Sequence, residues 1–513
     1  MAIVKVCGTE TEFGIQVTGA GGESNPIAAS SVLINAYVSG LARRVGWDFE
    51  DESPEQDARG FTREGDMAPE VETHLVNAVL TNGARFYVDH AHPEYSGPEC
   101  ANPLEAVLYD KAGEEILIRS MAAAAKMCEP GQQFVIYKNN SDRKGNSYGA
   151  HENYLMDRTV PFDQVVRHIT SHFVTRQIYT GAGKVGSEAG FGGGRGHGPR
   201  PGSRGNGPDE APTFQLTQRA DFFEEAVGLE TTLKRPIVNT RDEPHSDSSK
   251  YRRLHVIVGD ANLAQVAIWL KIGVTALILA MIEDDFTTAR DLGLADPVEA
   301  MHQVSYDLTL RRPLDLAEGG TITALELQWE LFDLSRKYAE EIGLDAIGGD
   351  VDGRRLLDRW EAVLGGLETD PDSLADQLDW VAKYRLIDAY RERHELEWSD
   401  HRLAAMDLQY HDLRPSKSLF ARLGTETLFS TEEISKAVTE PPRDTRAYFR
   451  GKCLQRWSSY VSAANWDSMV FDLGTDPLRR VPMMEPLKGT AAHVDKLLEE
   501  CSTPAELLDR LGS

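Results

Sequence analysis

The N-terminal segment GTETEFG carries two glutamates whose spacing suits a metal site. In an extended chain alternate side chains share a face, so Glu10 and Glu12 project together while Thr9 and Thr11 point the other way. Carboxylates about 6 to 7 Å apart along a strand repel each other, and a divalent cation relieves that repulsion. Oxygen ligands of this kind suit Mg²⁺. A solvated strand face with cross-strand lysines explains the same pattern, so both interpretations stay open for this segment.

A second segment, ARFYVDHAHPEYSGPEC, concentrates polar groups at the end of an apolar strand. Period-2 alternation puts Phe86 and Val88 on the core side, and the other face carries a cation, a phenol and a carboxylate: Arg85, Tyr87 and Asp89. Further polar side chains follow at His90, His92, Glu94 and Glu99. Removing so many polar groups from water costs free energy unless they are paired or liganded. The segment therefore favours a metal and nucleotide site over a solvated face.

Two more polar clusters follow along the chain. KNNSDRKGNSYGAHENYL contains His151, which is either a metal ligand or a satisfied loop histidine. The segment KRPIVNTRDEPHSDSSKYRRLHVIVGD supplies basic groups beside a predicted strand, with one more arginine upstream: Arg241, Arg252, Arg253, His255 and Arg219. The planar guanidinium fork suits phosphate oxygens, although each arginine alone fits a surface ion pair equally well.

Other chemistries find little support in the sequence. There is no G-x-S-x-G elbow and no H-E-x-x-H motif. GAGKVGS is not a phosphate loop, because Val185 follows Lys184 where Ser or Thr would bind magnesium, and the four-residue spacer between glycines is missing. The chain has five cysteines and no C-x-x-C pair, which indicates neither a thiolate zinc site nor a disulfide framework and fits a reducing cytosol.

The composition of the chain limits the classes of partner that it can bind. The 513 residues are 41 % hydrophobic, enough for a sizeable core, and the formal net charge is −27. No run of Lys and Arg supplies the basic face that nucleic acid requires, so we expect no nucleic-acid partner. The apolar stretch 261–282 is interrupted by Gln265 and Lys271, whereas a span needs about 20 apolar residues. It is expected to be a buried core helix, and no membrane partner is expected.

The pattern of apolar residues and turn formers gives a coarse order of elements. Strands are predicted at 3–17, 84–89, 134–140 and 251–259, and helices at 29–45, at 104–128 and over most of 261–423. The acidic segment 47–73 is predicted to be a mobile loop, and the Gly-rich segment 181–208 a flexible insertion rather than an RNA-binding tract. Ser430 and Glu433 form a capping-box pattern, and we place a small C-terminal domain at 430–513, after a catalytic domain at 1–429.

Seven segments together resemble the Pup ligase/deamidase family, which is related to glutamine synthetases and γ-glutamyl-cysteine ligases. They run through nearly the whole chain: GTETEFG, NGARFYVD, HPEYS, KNNSD, GNSYGAHENYL, RPIVNTRDEPH and KYRRLHVIVGD. The resemblance implies an α+β fold in which a twisted antiparallel sheet forms a cradle packed on helices, with a small C-terminal domain. It also implies Mg²⁺ and ATP at the head of the cradle and the C-terminus of the small protein Pup in an adjoining groove.

The resemblance also implies roles for individual residues. Glu10, Tyr87 and Glu94 match magnesium ligands, and Glu12 matches a second-metal ligand. ATP contacts are implied for Arg85 and Trp466, and Asp89 matches the catalytic aspartate. Gly97 stands at the position of an ATP-contacting threonine of the ligase, so the resemblance implies an ATP contact at Gly97.

The family divides into a ligase branch and a deamidase/depupylase branch, and this chain is more similar to the second. The ligase pattern D-V-G-S-H-P-E-Y-A-T is one residue shorter here, and the acidic segment 47–73 lies where the deamidase branch carries an extra loop. The expected reaction is attack by Asp89, or by a water that it orients, on the terminal side-chain carbonyl of Pup. Arg219 and Arg241 would stabilise the developing negative charge. Two alternatives stay open: a Pup–protein ligase that consumes ATP, and a Pup-binding adaptor without activity.

Overall fold

The computed structural model describes residues 1–19, 25–41, 43–50, 52–62, 76–188, 212–287, 291–474 and 476–512. Its β-strands are β1 Cys7–Glu12, β2 Gly14–Thr18, β3 Val45–Trp47, β4 Gln56–Asp57, β5 Phe61–Thr62, β6 Asn77–Val79, β7 Arg85–Asp89, β8 His92–Ser96, β9 Gln133–Tyr137, β10 Ala150–Asp157, β11 Lys184–Val185, β12 Phe214–Gln215, β13 Phe223–Gly228, β14 Arg235–Asn239, β15 Tyr251–Val256, β16 Pro313–Asp315, β17 Thr321–Thr323, β18 Val461–Ala464, β19 Ser468–Phe471 and β20 Arg479–Pro482.

Ten of these strands form one sheet in the described part of the chain, in the order β15-β10-β1-β8-β7-β6-β3-β18-β19-β20. Neighbouring strands are antiparallel, except that β18 pairs with β3 in parallel. The sheet is therefore mixed rather than wholly antiparallel, because the C-terminal strands add to the edge strand β3 and extend a sheet begun by the N-terminal half.

The α-helices cover one face of the sheet and build most of the second half of the chain. They are α1 Pro26–Val38, α2 Pro103–Ala124, α3 Phe162–Thr175, α4 Gln177–Thr180, α5 Gln265–Glu283, α6 Pro297–Tyr306, α7 Ala324–Glu341, α8 Gly349–Thr369, α9 Asp379–Arg393, α10 His401–Tyr410, α11 Thr431–Ala437, α12 Ala447–Trp457, α13 Ala491–Glu500 and α14 Pro504–Leu511. The structure is α+β, as predicted, and the capping box of Ser430 and Glu433 does begin α11.

The alternation of side chains separates a core face from an open face. Phe86 and Val88 of β7 are buried in the main core, whereas their neighbours on that strand are only half-buried. Helix α5 is enclosed by other helices and is long and apolar enough to cross a membrane by length and composition alone. Because residues 265–282 are all buried in the protein, it is a core helix, as the sequence indicated.

The structure refines several predicted boundaries. The predicted strand 3–17 is divided at Phe13, whose backbone N–H donates to the carbonyl of Pro93 and whose side chain enters the core. Helix α1 ends at Val38 rather than at residue 45, where β3 begins. Residues after 447 pack with Val45, Trp47 and Val79 in a second hydrophobic core. The domain boundary at 430 stays a prediction.

The acidic segment 47–73 is only partly a loop. Within it, β4 and β5 pair in an antiparallel hairpin, and Ala58 donates to the carbonyl of Thr240. Residues 51 and 63–75 lie outside the described residues, as do 189–211, which hold most of the predicted Gly-rich insertion. The described start of that insertion contains β11, which pairs with β12.

Candidate active site

Strand register brings polar side chains of three neighbouring strands into adjacent rows on the open face of the sheet. Glu12 of β1 pairs with Glu94 of β8, and Glu94 pairs on its other side with Tyr87 of β7. Asp89 lies opposite His92 in the next row. Thr9 and Thr11 are buried beneath β1, so its two glutamates share the open face as predicted.

Glu12, Asp89 and Glu94 form a carboxylate group whose oxygens lie within 4.8 Å of one another. Burial, together with the charges of Asp89 and Glu12, raises the pKa of Glu94 well above the ordinary value for glutamate. Imidazole nitrogens of His90 and His92 lie 3.1 Å from Asp89 and 3.2 Å from Glu12. Three converging carboxylates are a donor set that fits a hard divalent cation such as Mg²⁺. Tyr87 lies beside them, and burial and Glu94 raise the pKa of its phenol.

Glu10, His151 and His255 form a second group with the same spacing. Nδ1 of His151 lies 3.5 Å from a carboxylate oxygen of Glu10, and Asn153 donates to the other oxygen at 2.8 Å. Burial alone would raise the pKa of Glu10, but the hydrogen bond from His151 and the charge of Arg253 hold it well below its usual value. Glu10 is therefore an ionised carboxylate beside two imidazoles.

Gly149 allows the two groups to approach each other. A Cβ atom on this residue would lie 2.5 Å from Oε1 of Glu12 and 2.6 Å from Nε2 of His151. Any side chain at this position would displace Glu12 or His151, so only glycine fits here in the GNSYGAHENYL segment. The two groups consequently line one continuous polar surface.

A cleft adjoins the second group. Its walls include Glu10, Gly97 and Trp466, three of the residues predicted to bind metal or ATP. Cations and further lining groups come from distant segments: His245, Arg253, Arg446, Pro244 and Pro486. The cleft therefore has a flat aromatic wall at Trp466 and a basic wall near Glu10, which together suit a nucleotide.

Arg85 is connected to Trp466, on the wall of the cleft, through a series of aromatic contacts. Its guanidinium lies 4.1 Å from the ring centre of Trp47 and 3.9 Å from that of Tyr87, and Nε donates to Asn77 at 3.0 Å. Trp47 in turn meets Trp466 edge to face at 5.1 Å. The direct ATP contact expected of Arg85 stays a prediction.

The predicted arginines take different positions. Arg219 is buried, and burial with the nearby charge of Arg235 lowers its pKa to about 9, so the group stays cationic at neutral pH. Arg241 follows β14, and its Nε is buried without a hydrogen-bond partner in the described part of the chain. Arg252 points to the other face, where it donates to the carbonyl of Val160 and packs on Phe162, so it does not belong to the basic cluster of the site.

The chain is similar in sequence and in fold to proteins of one family. Residues 5–470 match the family model described as Pup-ligase protein. The chain belongs to this family. It is 50 % identical over 522 residues, covering 99 % of both chains, to a protein of Acidothermus cellulolyticus named depupylase. It is 45 % identical over 530 residues, again 99 % of both, to the Pup deamidase/depupylase of Mycobacterium tuberculosis H37Rv.

Ligases of the family are less similar. The Pup–protein ligase of Acidimicrobium ferrooxidans is 40 % identical over 432 residues, which is 82 % of this chain and 89 % of that one. A solved complex of Pup with its ligase PafA superposes with a TM-score of 0.78 at 31 % identity, over 99 % of this chain and 94 % of that chain. PafA with ADP gives 0.72 at 33 % identity, over 88 % and 98 %. The fold of the family is thus the fold of this chain.

Some residues of this family site were not predicted from the sequence. Asn153 contacts both Glu10 and Arg253, and Arg446 lines the cleft from the C-terminal segment. His255, which the sequence indicated only as a basic group beside a strand, joins His151 as a possible ligand, because the period-2 spacing of Arg253 and His255 in YRRLHV places both on the open face. No local pattern points to Arg446, because it reaches the site only through the tertiary fold.

Proposed function

We propose that this chain deamidates the C-terminal glutamine of Pup to glutamate and cleaves the isopeptide bond between Pup and substrate lysines. The observation that carries the proposal is near-full-length identity of 45–50 % to proteins named depupylase and Pup deamidase/depupylase. The carboxylate-lined open face of the sheet supplies the groups that such an amide hydrolysis requires. Pup and pupylated proteins are accordingly the proposed partners.

The site is proposed to use ATP and Mg²⁺. The neighbour PafA was solved with ADP, and the cleft beside Glu10 offers an aromatic and a basic wall. Glu12 and Glu94, beside Tyr87, and Glu10 with His151 would hold the metal, since the ligand atoms converge within each of the two groups. Bound Mg²⁺ would neutralise charge on these carboxylates and on the nucleotide phosphates and would polarise a nearby oxygen.

Asp89 is the proposed catalytic group. Burial opposes its ionisation, but the hydrogen bond from His90 lowers the pKa of Asp89, so the carboxylate is charged at neutral pH. The carboxylate either attacks the side-chain carbonyl carbon of Pup, giving an anhydride that water hydrolyses, or removes a proton from the attacking water. In both routes the C–N bond breaks, and the amine leaves with a proton.

Two arginines are proposed to stabilise the oxyanion that forms in this step. Arg219 is a buried cation near Glu12, and Arg241 has a buried donor without a partner in the described residues. A donor that is already desolvated and held in place stabilises developing charge without reorganisation of solvent. The free cysteines and the absence of thiolate pairs in the sequence fit a cytoplasmic location, which we propose for the protein.

The test is a mass measurement on Pup ending in glutamine, incubated with this protein, Mg²⁺ and a non-hydrolysable ATP analogue. Exchange of an amide for a carboxylate adds about one dalton, and this gain is expected without nucleotide turnover. A pupylated protein should release Pup under the same conditions. If neither reaction occurs and ATP instead yields ADP in step with new Pup–protein conjugates, the chain is a ligase.

A further inference from the structure

Arg219 is a buried cation to which the described part of the chain brings no carboxylate partner. Its side chain is almost fully enclosed, and its Nε donates to Oγ of Ser147 at 3.1 Å. Its Nη1 donates to the carbonyls of Ile257 and Gly259. No carboxylate of the described residues forms an ion pair with it. Elsewhere in the core, Arg176 has a carboxylate partner in Glu152 at 2.7 Å. A buried charge left without a counterion costs free energy, so its position must be fixed by other contacts.

Gln218, the residue before Arg219, makes hydrogen bonds that fix the chain at this position. Its backbone N–H donates to Oδ2 of Asp260 at 2.8 Å, and its Oε1 accepts from the backbone N–H of Asn140 at 2.7 Å. Its Nε2 lies 2.6 Å from Nε2 of His411. Gln218 is 4 % exposed, so each of these hydrogen bonds is made away from water. These three hydrogen bonds hold both the backbone and the side chain of Gln218, immediately before Arg219.

The partners of Gln218 are themselves buried and fixed. Asn140, in the KNNSD segment, accepts from the N–H of Ala261 and donates to the carbonyl of Tyr148. Nε2 of His411 also lies 2.6 Å from Nζ of Lys383, which donates to Oδ1 of Asp407 at 2.8 Å. An imidazole nitrogen that faces two donors must accept, so His411 is neutral. Burial and Lys383 accordingly lower the pKa of His411.

We propose that Gln218 is the positioning residue of Arg219 and holds its guanidinium where negative charge develops during amide hydrolysis. His411 and Lys383 hold the Gln218 amide in turn. The inference rests on the proposed function, because it concerns the charge stabilisation assigned there to Arg219. It gives the KNNSD segment a role, since Asn140 ties Gln218 to the loop that follows β15.

The test compares Gln218→Met with Gln328→Met. Gln328 is the matched control because it is equally buried and hydrogen-bonded, to Thr175 and Tyr179, in the helical core. Both variants should lose thermal stability. Gln218→Met should lower kcat for Pup ending in glutamine about 10- to 100-fold with KM and nucleotide affinity nearly unchanged, because a displaced charge acts on the transition state. Gln328→Met should keep kcat.

A double-mutant cycle separates positioning from general structural damage. If Gln218 acts through Arg219, Gln218→Met should slow the Arg219→Met enzyme little further. Should Gln218→Met fail to fold, His411→Phe removes the acceptor and should show the same split between kcat and KM.

The outcomes distinguish this inference from the function on which it rests. A wild-type protein without any turnover of Pup substrates overturns both. With an active wild type, an unchanged kcat in Gln218→Met or, if that variant does not fold, in His411→Phe overturns the positioning role alone. Losses that multiply in the double variant with Arg219→Met also overturn it.

Discussion

Glu94 is buried and Glu99, five positions later in the same segment, is partly buried, and their surroundings differ in charge. Burial opposes ionisation of Glu99, but Arg450 and Arg446 lower its pKa to about 2. Burial and the charges of Asp89 and Glu12 instead raise the pKa of Glu94 well above its usual range. The residue type is the same, so the difference lies in what the tertiary structure places beside each carboxylate.

The contrast separates a structural carboxylate from a functional one. Glu99 joins the sheet to the C-terminal segment, because Arg446 and Arg450 approach it at the start of α12. Glu94 has two acidic neighbours and no cationic side chain in its ligand group, so the folded chain is less stable there until a cation binds. A buried carboxylate whose charge the described residues leave uncompensated is therefore the better indicator of a site.

Asp89→Asn should produce the largest effect. The variant keeps the size of the side chain but loses the nucleophile or base, so turnover of Pup ending in glutamine should fall by roughly 10³-fold or more. Nucleotide affinity should change little. Single-turnover mass measurements check this, and full activity in the variant would remove Asp89 from the chemistry.

Glu99→Gln should destabilise the protein by about 3 kcal/mol, because two buried arginines lose their shared counterion. Urea unfolding of the metal-free protein measures the change. Arg119 and Glu115 form a half-exposed ion pair on α2, and Glu115→Gln is the control, with an expected loss below about 1 kcal/mol. Equal losses in the two variants would contradict the structural role of Glu99.

Glu94→Gln should stabilise the metal-free protein, whereas Glu99→Gln should destabilise it. Removing one of three crowded carboxylates relieves repulsion, and the free energy of unfolding should rise by about 1 kcal/mol. Unfolding by urea in EDTA measures this change. A loss of stability as large as that of Glu99→Gln would mean that a cationic group already compensates Glu94.

The contributions of Glu99 and Glu94 to stability should depend on pH in opposite directions. The pKa of Glu99 is lowered from 4.5 to about 2, so its stabilisation is present above pH 4.5 and is lost as the pH falls toward 2. The pKa of Glu94 is raised, so its contribution is lost as the pH rises above 4.5 through the raised value. Unfolding free energies in EDTA from pH 4 to 8 should therefore diverge between wild type and Glu94→Gln, and parallel curves would contradict the raised pKa.

Local patterns predicted the faces of the strands but not their partners. Alternation placed Glu10 with Glu12 and Arg85 with Tyr87 and Asp89, because side chains in a strand alternate whatever the fold. The break at Phe13 depends on a hydrogen bond to Pro93, a residue 80 positions away. A sequence window contains no information on such a contact.

The composition of the site depends on register between distant strands. His255 meets His151 because β15 pairs with β10, about 100 residues earlier in the chain. The two arginines of Glu99 lie about 350 residues from it. Family resemblance, rather than periodicity, indicated Trp466, and the structure places it on the cleft wall with Glu10.

The acidic open face of the sheet should be completed by a bound cation and a nucleotide. Calorimetric titration of a non-hydrolysable ATP analogue with Mg²⁺ into wild type, Glu94→Gln and Glu326→Gln tests it most directly. Glu326 is the control because its carboxylate caps α7. Glu94→Gln should weaken Mg²⁺-dependent binding at least about tenfold while Glu326→Gln binds as wild type does. Equal affinity in all three proteins would mean that Glu94 does not take part in Mg²⁺-dependent nucleotide binding.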